Sequence, residues 1–179
     1  MHVKVRPFLR KSAVIALLAI APIISGCVES RAPLLTGIEP LFGPQFEAHL
    51  YDTFIAGKAR NVQVAQYRWR GDGYERVGYS GEKFVVQPIN ETEFIVQTDN
   101  TDNAIFHYSV ARKIVDGVFL VLPIEESDAP PETRAAICGN DQAIICTIES
   151  YDQLVTLARA TVEKSPHNPL LGVIVRNGE

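Results

Sequence analysis

From about residue 46, apolar and polar residues alternate with a period of two, as in β-strands that bury one face. Strand-like segments then follow one another about every ten residues, with turn-forming residues between them. They cover residues 46–51, 62–69, 74–79, 84–87, 94–97, 105–110, 114–115 and 118–122. This spacing is typical of an antiparallel meander, and it predicts a curved sheet or a partly closed barrel.

Three details refine the predicted sheet. Asp116-Gly117 lies between two apolar runs and is the strongest hairpin signal in the chain. The uninterrupted apolar run 118–122 predicts a central strand that is covered on both sides. Within 62–69 the apolar positions change face between Val64 and Ala65, which allows a β-bulge there.

The last third of the chain changes its period. After a break at residues 128–131, Ser150 and Gln153 have the spacing of a capping box, which begins a helix. Residues 165–166 (Ser-Pro) end this helix, and residues 170–175 supply a last strand. Five residues at helical spacing predict one buried helix face: Leu154, Leu157, Ala158, Thr161 and Val162. We therefore expect an α+β fold, an antiparallel meander with one C-terminal helix packed on it.

The N-terminus has a different pattern. Its basic residues come first and no acidic residue precedes Glu29, while residues 12–24 form an apolar run of 13 residues. A helix that spans a bilayer needs about 20 apolar residues, so this run is too short and fits the apolar region of a secretory signal peptide. The alternative, a buried core helix, is disfavoured by Pro22 and by the clustered charges.

The apolar run ends in Ile24-Ser25-Gly26-Cys27, an aliphatic residue and two small residues before a cysteine. This motif resembles the lipobox of bacterial lipoproteins, and the resemblance covers residues 1–27. It implies diacylation of the Cys27 sulfur, cleavage after Gly26, and acylation of the new amino group by a fatty acid such as palmitate. Two or three acyl chains, at about 0.8 kcal/mol per buried methylene, anchor a protein stably in a membrane.

The residue after Cys27 is Val28 and not Asp. By analogy with the enterobacterial sorting rule for lipoproteins, this favours an outer-membrane anchor that faces the periplasm. The inner membrane and the cell surface stay open as alternatives.

The expected division of the chain is a signal peptide at 1–26, a lipid-anchored tether at 27–45 and a single globular domain at 46–179. The tether is rich in Pro and Gly, although the pairs at 34–35 and 41–42 contain apolar residues that can pack on the domain. Cleavage removes four of the 17 basic residues and none of the 21 acidic ones, which leaves a formal charge of −8. So acidic a chain disfavours nucleic acid and anionic head groups as partners, and Arg68, Arg70 and Arg76 form only a thin basic patch.

With Cys27 lipidated, Cys138 and Cys146 are the two cysteines that remain. In an oxidising compartment an even pair predicts a disulfide, here closing nine residues, worth about 2.5 kcal/mol on the chain-entropy estimate. A metal site would need two further ligands, and no His or Cys lies at metal-motif spacing from this pair. A redox pair would have closer spacing, such as Cys-x-x-Cys.

No catalytic constellation emerges from the sequence. Residues 78–82 resemble a nucleophile elbow but carry Glu82 in place of the second glycine, with a strand predicted after them. Residues 99–103 resemble the start of a calcium loop, yet Ala104 and Val110 stand where a glycine and a glutamate are required, so a hairpin turn is the better interpretation. The histidines form no spaced pair, and the acidic edge at 125–128 is expected to be solvated. We predict no metal and no cofactor.

Two function classes follow. The first is a non-enzymatic envelope lipoprotein, a structural or interaction module that docks on another envelope protein. Its candidate interaction residues are Trp69, Arg70 and Tyr74, of types that dominate interface energetics, although Trp69 can equally be buried in the core. The alternative is a binder of a small apolar ligand in a lipocalin-like barrel. Its lining residues, which would also fill an ordinary core, are Tyr67, Trp69, Phe84, Phe94 and Phe106.

Overall fold

Ten β-strands and two α-helices are found in the described part of the chain. The structure is a computed structural model, and it describes residues 27–36, 39–55, 58–100, 104–139, 145–164 and 171–176. The strands are β1 (Cys27–Ser30), β2 (Gln45–Ile55), β3 (Lys58–Trp69), β4 (Tyr74–Arg76), β5 (Glu82–Pro88), β6 (Glu93–Asn100), β7 (Ile105–Val115), β8 (Val118–Pro123), β9 (Ile145–Thr147) and β10 (Gly172–Arg176). The helices are α1 (Pro131–Cys138) and α2 (Tyr151–Lys164), and a 3-10 helix covers Glu126–Asp128. The predicted signal peptide and the predicted helix end at 165–166 lie outside the described residues.

Eight strands close into an antiparallel barrel in the order β2-β3-β4-β5-β6-β7-β8-β10. Closure depends on β10, because this strand pairs with β8 on one side and with β2 on the other. Its first residue, Gly172, approaches β2 so closely that a Cβ atom would lie 2.6 Å from the His49 carbonyl oxygen. The meander was predicted correctly, and the last strand turns a curved sheet into a closed barrel.

The predicted hairpin at Asp116-Gly117 joins β7 and β8. Of its two residues, Gly117 has a positive φ of 78°, and the β7–β8 register shifts between Lys113 and Val115. By contrast, the β2–β3 ladder has the same register from Gln45↔Arg68 to Ile55↔Lys58, so the bulge allowed by the sequence is not present there. The change of face arises because Val64 is an apolar residue on the outer surface, 54% exposed. Strand β8 has neighbours on both edges, but its outer face is only partly covered.

Helix α2 packs against the outer faces of β6 and β7. Its buried residues are the five that the helical pattern predicted. The capping box is also formed, since the Gln153 N–H donates to Ser150 Oγ and the Ser150 N–H donates to Gln153 Oε1, both at 3.3 Å. The sheet and the C-terminal helix therefore enclose a second core outside the barrel, around Ile95, Val110 and Leu157.

Helix α1 was not predicted, because the sequence around residues 128–131 reads as a break. Pro131 is compatible with a helix here since it occupies the first turn, where its missing N–H costs nothing. The last residue of α1 is Cys138, which is disulfide-bonded to Cys146 in β9. The predicted disulfide is thus confirmed, and it joins α1 to the sheet.

Residues 27–45 were expected to act as a tether, but the structure places most of them in the domain. Strand β1 pairs with β7 through Glu29↔His107 and Ser30↔Phe106, and with β9 in parallel. The backbone N–H groups of residues 34 and 35 donate to Gln97 Oε1 at 2.8 and 3.0 Å. The apolar pairs noted in the sequence do pack on the domain, because Leu35 lies in the outer core and Phe42 enters the barrel.

The acidic edge at 125–128 was expected to be solvated, but it is only partly exposed. Asp128 is buried, and Glu126 Oε2 is buried without a hydrogen-bond partner among the described residues. Burial raises the pKa of Glu125, and the negative charges of Asp128 and Glu126 add to the shift, while a hydrogen bond from Ser127 opposes it. The cause is α2, which packs on this segment, with Thr161 Oγ1 accepting from the Glu125 N–H at 3.2 Å.

Candidate functional site

Aromatic side chains fill the barrel at the end where β2 begins, which we call the plugged end. Phe42 enters from the segment before β2, and its ring centroid lies 4.6 Å from Phe119 and 5.6 Å from Phe46. An eight-stranded barrel has an interior just wide enough to be filled by side chains or to hold one small ligand. Here the side chains fill it, and the rings involved are Phe42, Phe46, Tyr67, Tyr74, Phe84, Phe94 and Phe119.

Hydrogen bonds from and to Tyr74 stabilise Phe42 in this position. The Tyr74 hydroxyl accepts from the Phe42 N–H and donates to the Gly43 carbonyl oxygen, both at 2.9 Å. Burial raises the pKa of Tyr74 to about 12. The hydroxyl therefore satisfies two backbone groups that the plug would otherwise bury without partners.

The structure brings Trp69, Arg70 and Tyr74 together, but mostly as core. Tyr74 is fully buried, and Trp69 is partly buried with its ring edge-on to Tyr74 at 5.1 Å. Arg70 is exposed and forms an ion pair with Glu75, Nε to Oε2 at 3.3 Å. Arg70 is thus the member of the predicted set with an exposed side chain (54%), while Tyr74 is 0% exposed.

Of the five residues that were considered as a cavity lining, four belong to the barrel core or pack against it. Tyr67, Phe84 and Phe94 are buried there, with Trp69 against them. Phe106 lies outside the barrel, where it packs on the outer core. At the plugged end these residues form the ordinary core that the sequence offered as the other interpretation.

The opposite end of the barrel, which we call the far end, has smaller and more polar inward-facing residues. Thr98 pairs with His107 and Ser109 pairs with the buried Val96, so these side chains share the inner face. All three polar residues are partly exposed, whereas Phe46 and Tyr74 at the plugged end are 0% exposed. Solvent therefore reaches the inner face at the far end.

In the described part of the chain, β2 and β3 continue beyond the far end as a two-stranded ribbon. The last described β10–β2 pair toward this ribbon is Gly172↔Leu50, and β4 pairs with β3 at residues 67–69. Residues 58–65 of β3 therefore have no strand on the β4 side within the described residues, and we call this stretch the open β3 edge. An unpaired strand edge presents free N–H and C=O groups to other chains.

Exposed apolar side chains lie next to this edge. Val64, Val77 and Tyr79 are 54%, 46% and 62% exposed, and the Arg76 guanidinium lies 5.3 Å from the centre of the Tyr79 ring. Sequence reasoning missed this region because it predicted a strand over 74–79. The available signal was Gly78, whose positive φ of 79° turns the chain away from β3.

Within the described residues, the side chains considered for catalysis do not come together in a catalytic arrangement. No group of three or more His, Cys, Asp or Glu side chains there is placed to hold a metal ion. A strand, β5, follows residues 78–82, as expected for a turn and not for a nucleophile elbow. His49 contacts Glu47 at 2.8 Å, His107 pairs with Thr98, and residues 101–103 and His167 lie outside the described residues.

Among the helices of the described chain, none is long and apolar enough to cross a membrane.

No protein-family model matches this chain, and comparisons with curated proteins and with solved structures find no match either. Function is therefore inferred from the geometry of the barrel and from the lipobox resemblance.

Proposed function

We propose that this chain is a lipid-anchored, non-enzymatic interaction domain of the bacterial cell envelope. It docks on another envelope protein through its outer surface. The observation that carries this proposal is the plugged barrel, in which side chains occupy the space that a lipocalin-like ligand would need.

The anchor is proposed at Cys27. The position of this residue in the fold supports a short distance between the bilayer and the domain. Cys27 is the first residue of β1, and its backbone lies opposite Ile145 of β9. A lipid on the first residue of a hydrogen-bonded strand leaves almost no chain between membrane and domain. The domain then stays within reach of neighbouring envelope proteins, and Val28 favours the periplasmic face of the outer membrane.

The test of docking is site-specific photo-crosslinking in intact cells. A photoreactive residue at Val64 or Arg70 should give a discrete adduct with one envelope protein, while the same residue at Thr156, exposed on α2, should give none. Arg70→Ala should abolish capture and change the thermal midpoint little, because its ion pair with Glu75 is exposed. Equal adducts from all three sites, or measurable hydrolytic turnover by the purified protein, would contradict the proposal.

A second candidate function is favoured by the far end of the barrel. Thr98, His107 and Ser109 face inward and are partly exposed, so a small apolar ligand with a polar head could enter there. The barrel fold is compatible with this function. A fluorescent fatty acid would then bind with one-to-one stoichiometry, and Ser109→Trp would block it. Absence of saturable binding would exclude this candidate.

A further inference from the structure

We propose that the open β3 edge receives an extended acidic segment of the partner protein as an added strand. This inference deepens the interaction function proposed above and rests on it.

The backbone hydrogen bonds on the two sides of β3 show which of its residues direct their N–H and C=O groups toward the open β3 edge. On the β4 side, the Arg70 N–H donates to the Gly73 oxygen at 2.9 Å and the Gln66 oxygen accepts from the Val77 N–H at 2.8 Å. On the β2 side, the Trp69 N–H donates to the Pro44 oxygen at 2.9 Å. Even-numbered residues of β3 therefore direct their backbone groups away from β2, because this direction alternates along a strand.

The same alternation directs the N–H and C=O groups of residues 60, 62 and 64 to the open side. No strand of the described chain pairs with them there. Strand β4 ends at Arg76, and after Val77 the turn at Gly78 takes the chain away, with the Tyr79 N–H donating to the Arg76 oxygen at 3.4 Å. The edge thus offers a row of donors and acceptors long enough for an added strand.

Charge indicates which kind of strand fits. The open β3 edge contains Lys58 and Arg60 and no acidic residue, although the chain from Cys27 onward carries 21 acidic residues against 13 basic ones. Complementary charge selects partners and accelerates association. An acidic strand is therefore favoured, whereas a second copy would bring two cationic β3 strands together. The charged residues of β2 in the ribbon are not all positive, because they include Asp52.

Val64, which is 54% exposed, supplies an apolar contact within the open β3 edge, beside the charges. A partner segment of alternating acidic and apolar residues would match the edge on both counts, because successive side chains of a strand point to opposite faces.

Amide hydrogen exchange measures strand addition directly. The purified full-length protein in detergent is mixed with a synthetic ten-residue peptide of alternating Glu and Val, and separately with the matched Lys and Val peptide. The Glu peptide should slow exchange at the amides of residues 60, 62 and 64 at least tenfold and leave the α2 amides unchanged. No protection at these amides, or equal protection by both peptides, would overturn the proposal.

Two variants separate strand addition from other binding. Val64→Pro removes one edge N–H and should weaken peptide binding at least tenfold, while Val64→Thr keeps the N–H and should bind normally; proline is tolerated at an unpaired edge position. Lys58→Glu with Arg60→Glu should reverse the preference toward the Lys peptide, and an unchanged preference would contradict a role for these two charges. Cellular adducts at Arg70 without any peptide protection would overturn strand addition alone and leave the interaction function standing.

Discussion

At the scale of single residues, Tyr74 shows how one side chain can be misread from its type. An aromatic residue near a turn beside Arg70 is typical of an interface, and the sequence could not show that Phe42, more than 30 positions earlier, packs against it. Packing between residues that are distant in the sequence therefore determines where Tyr74 lies. The Tyr74 hydroxyl completes the hydrogen bonds of the barrel plug.

The first prediction concerns this hydroxyl. Tyr74→Phe should lower the free energy of unfolding by about 1–3 kcal/mol, because the Phe42 N–H and the Gly43 oxygen lose their partner in a buried place. Tyr79→Phe is the matched control, since Tyr79 is exposed, and it should change stability by less than about 0.5 kcal/mol. Urea denaturation of both variants checks this. Equal effects would show that the plug does not depend on the Tyr74 hydroxyl.

The second prediction concerns the raised pKa of Glu125. Because folding raises the pKa of this carboxyl, the folded state binds the proton more tightly than the unfolded state does. The stability that this proton binding contributes is present below the usual pKa and is lost as the pH rises through the folded-state pKa. Glu125→Gln should therefore raise the thermal midpoint at pH 7. The gain should shrink at pH 4, below the ordinary value of 4.5. A gain that is the same at both pH values would mean that ionisation is not its cause.

At the scale of elements, α2 was predicted with its cap and its buried face because both signals are local in the chain. The Ser150–Gln153 pair and the apolar stripe lie within one helix, so the sequence alone contains the contacts that stabilise it. Strands β1 and β9 were missed since they are short and form by pairing with each other and with β7. Their partners lie far along the chain, and no periodic pattern marks segments of three or four residues.

The disulfide links α1 to β9 covalently, and it gives the third prediction. Reduction of the Cys138–Cys146 bond should lower the free energy of unfolding by about 2.5 kcal/mol, from the entropy of a nine-residue loop. Denaturant unfolding with and without reductant measures this. The double variant Cys138→Ser with Cys146→Ser should be insensitive to reductant. Two alkylatable thiols in protein taken from the envelope would contradict a disulfide in the cell.

At the scale of the whole molecule, closure by β10 and filling by Phe42 could not be predicted from the sequence. The strand periodicity predicted the meander, but a curved sheet and a closed barrel have the same alternation, and the choice depends on which strands pair at the two ends. The segment that fills the barrel reads as a Pro- and Gly-rich linker. Its apolar pairs were the only signal that it packs inward.

We propose a lipid-anchored domain that acts through its surface while its own side chains fill the barrel. Native mass spectrometry of the protein purified from its own envelope tests the lipid anchor and the filled barrel at once. We predict a chain that begins at Cys27 and carries its acyl groups and one disulfide, with no small molecule that is released on denaturation. An unprocessed chain that begins at Met1, or a ligand retained at one-to-one stoichiometry, would contradict the account.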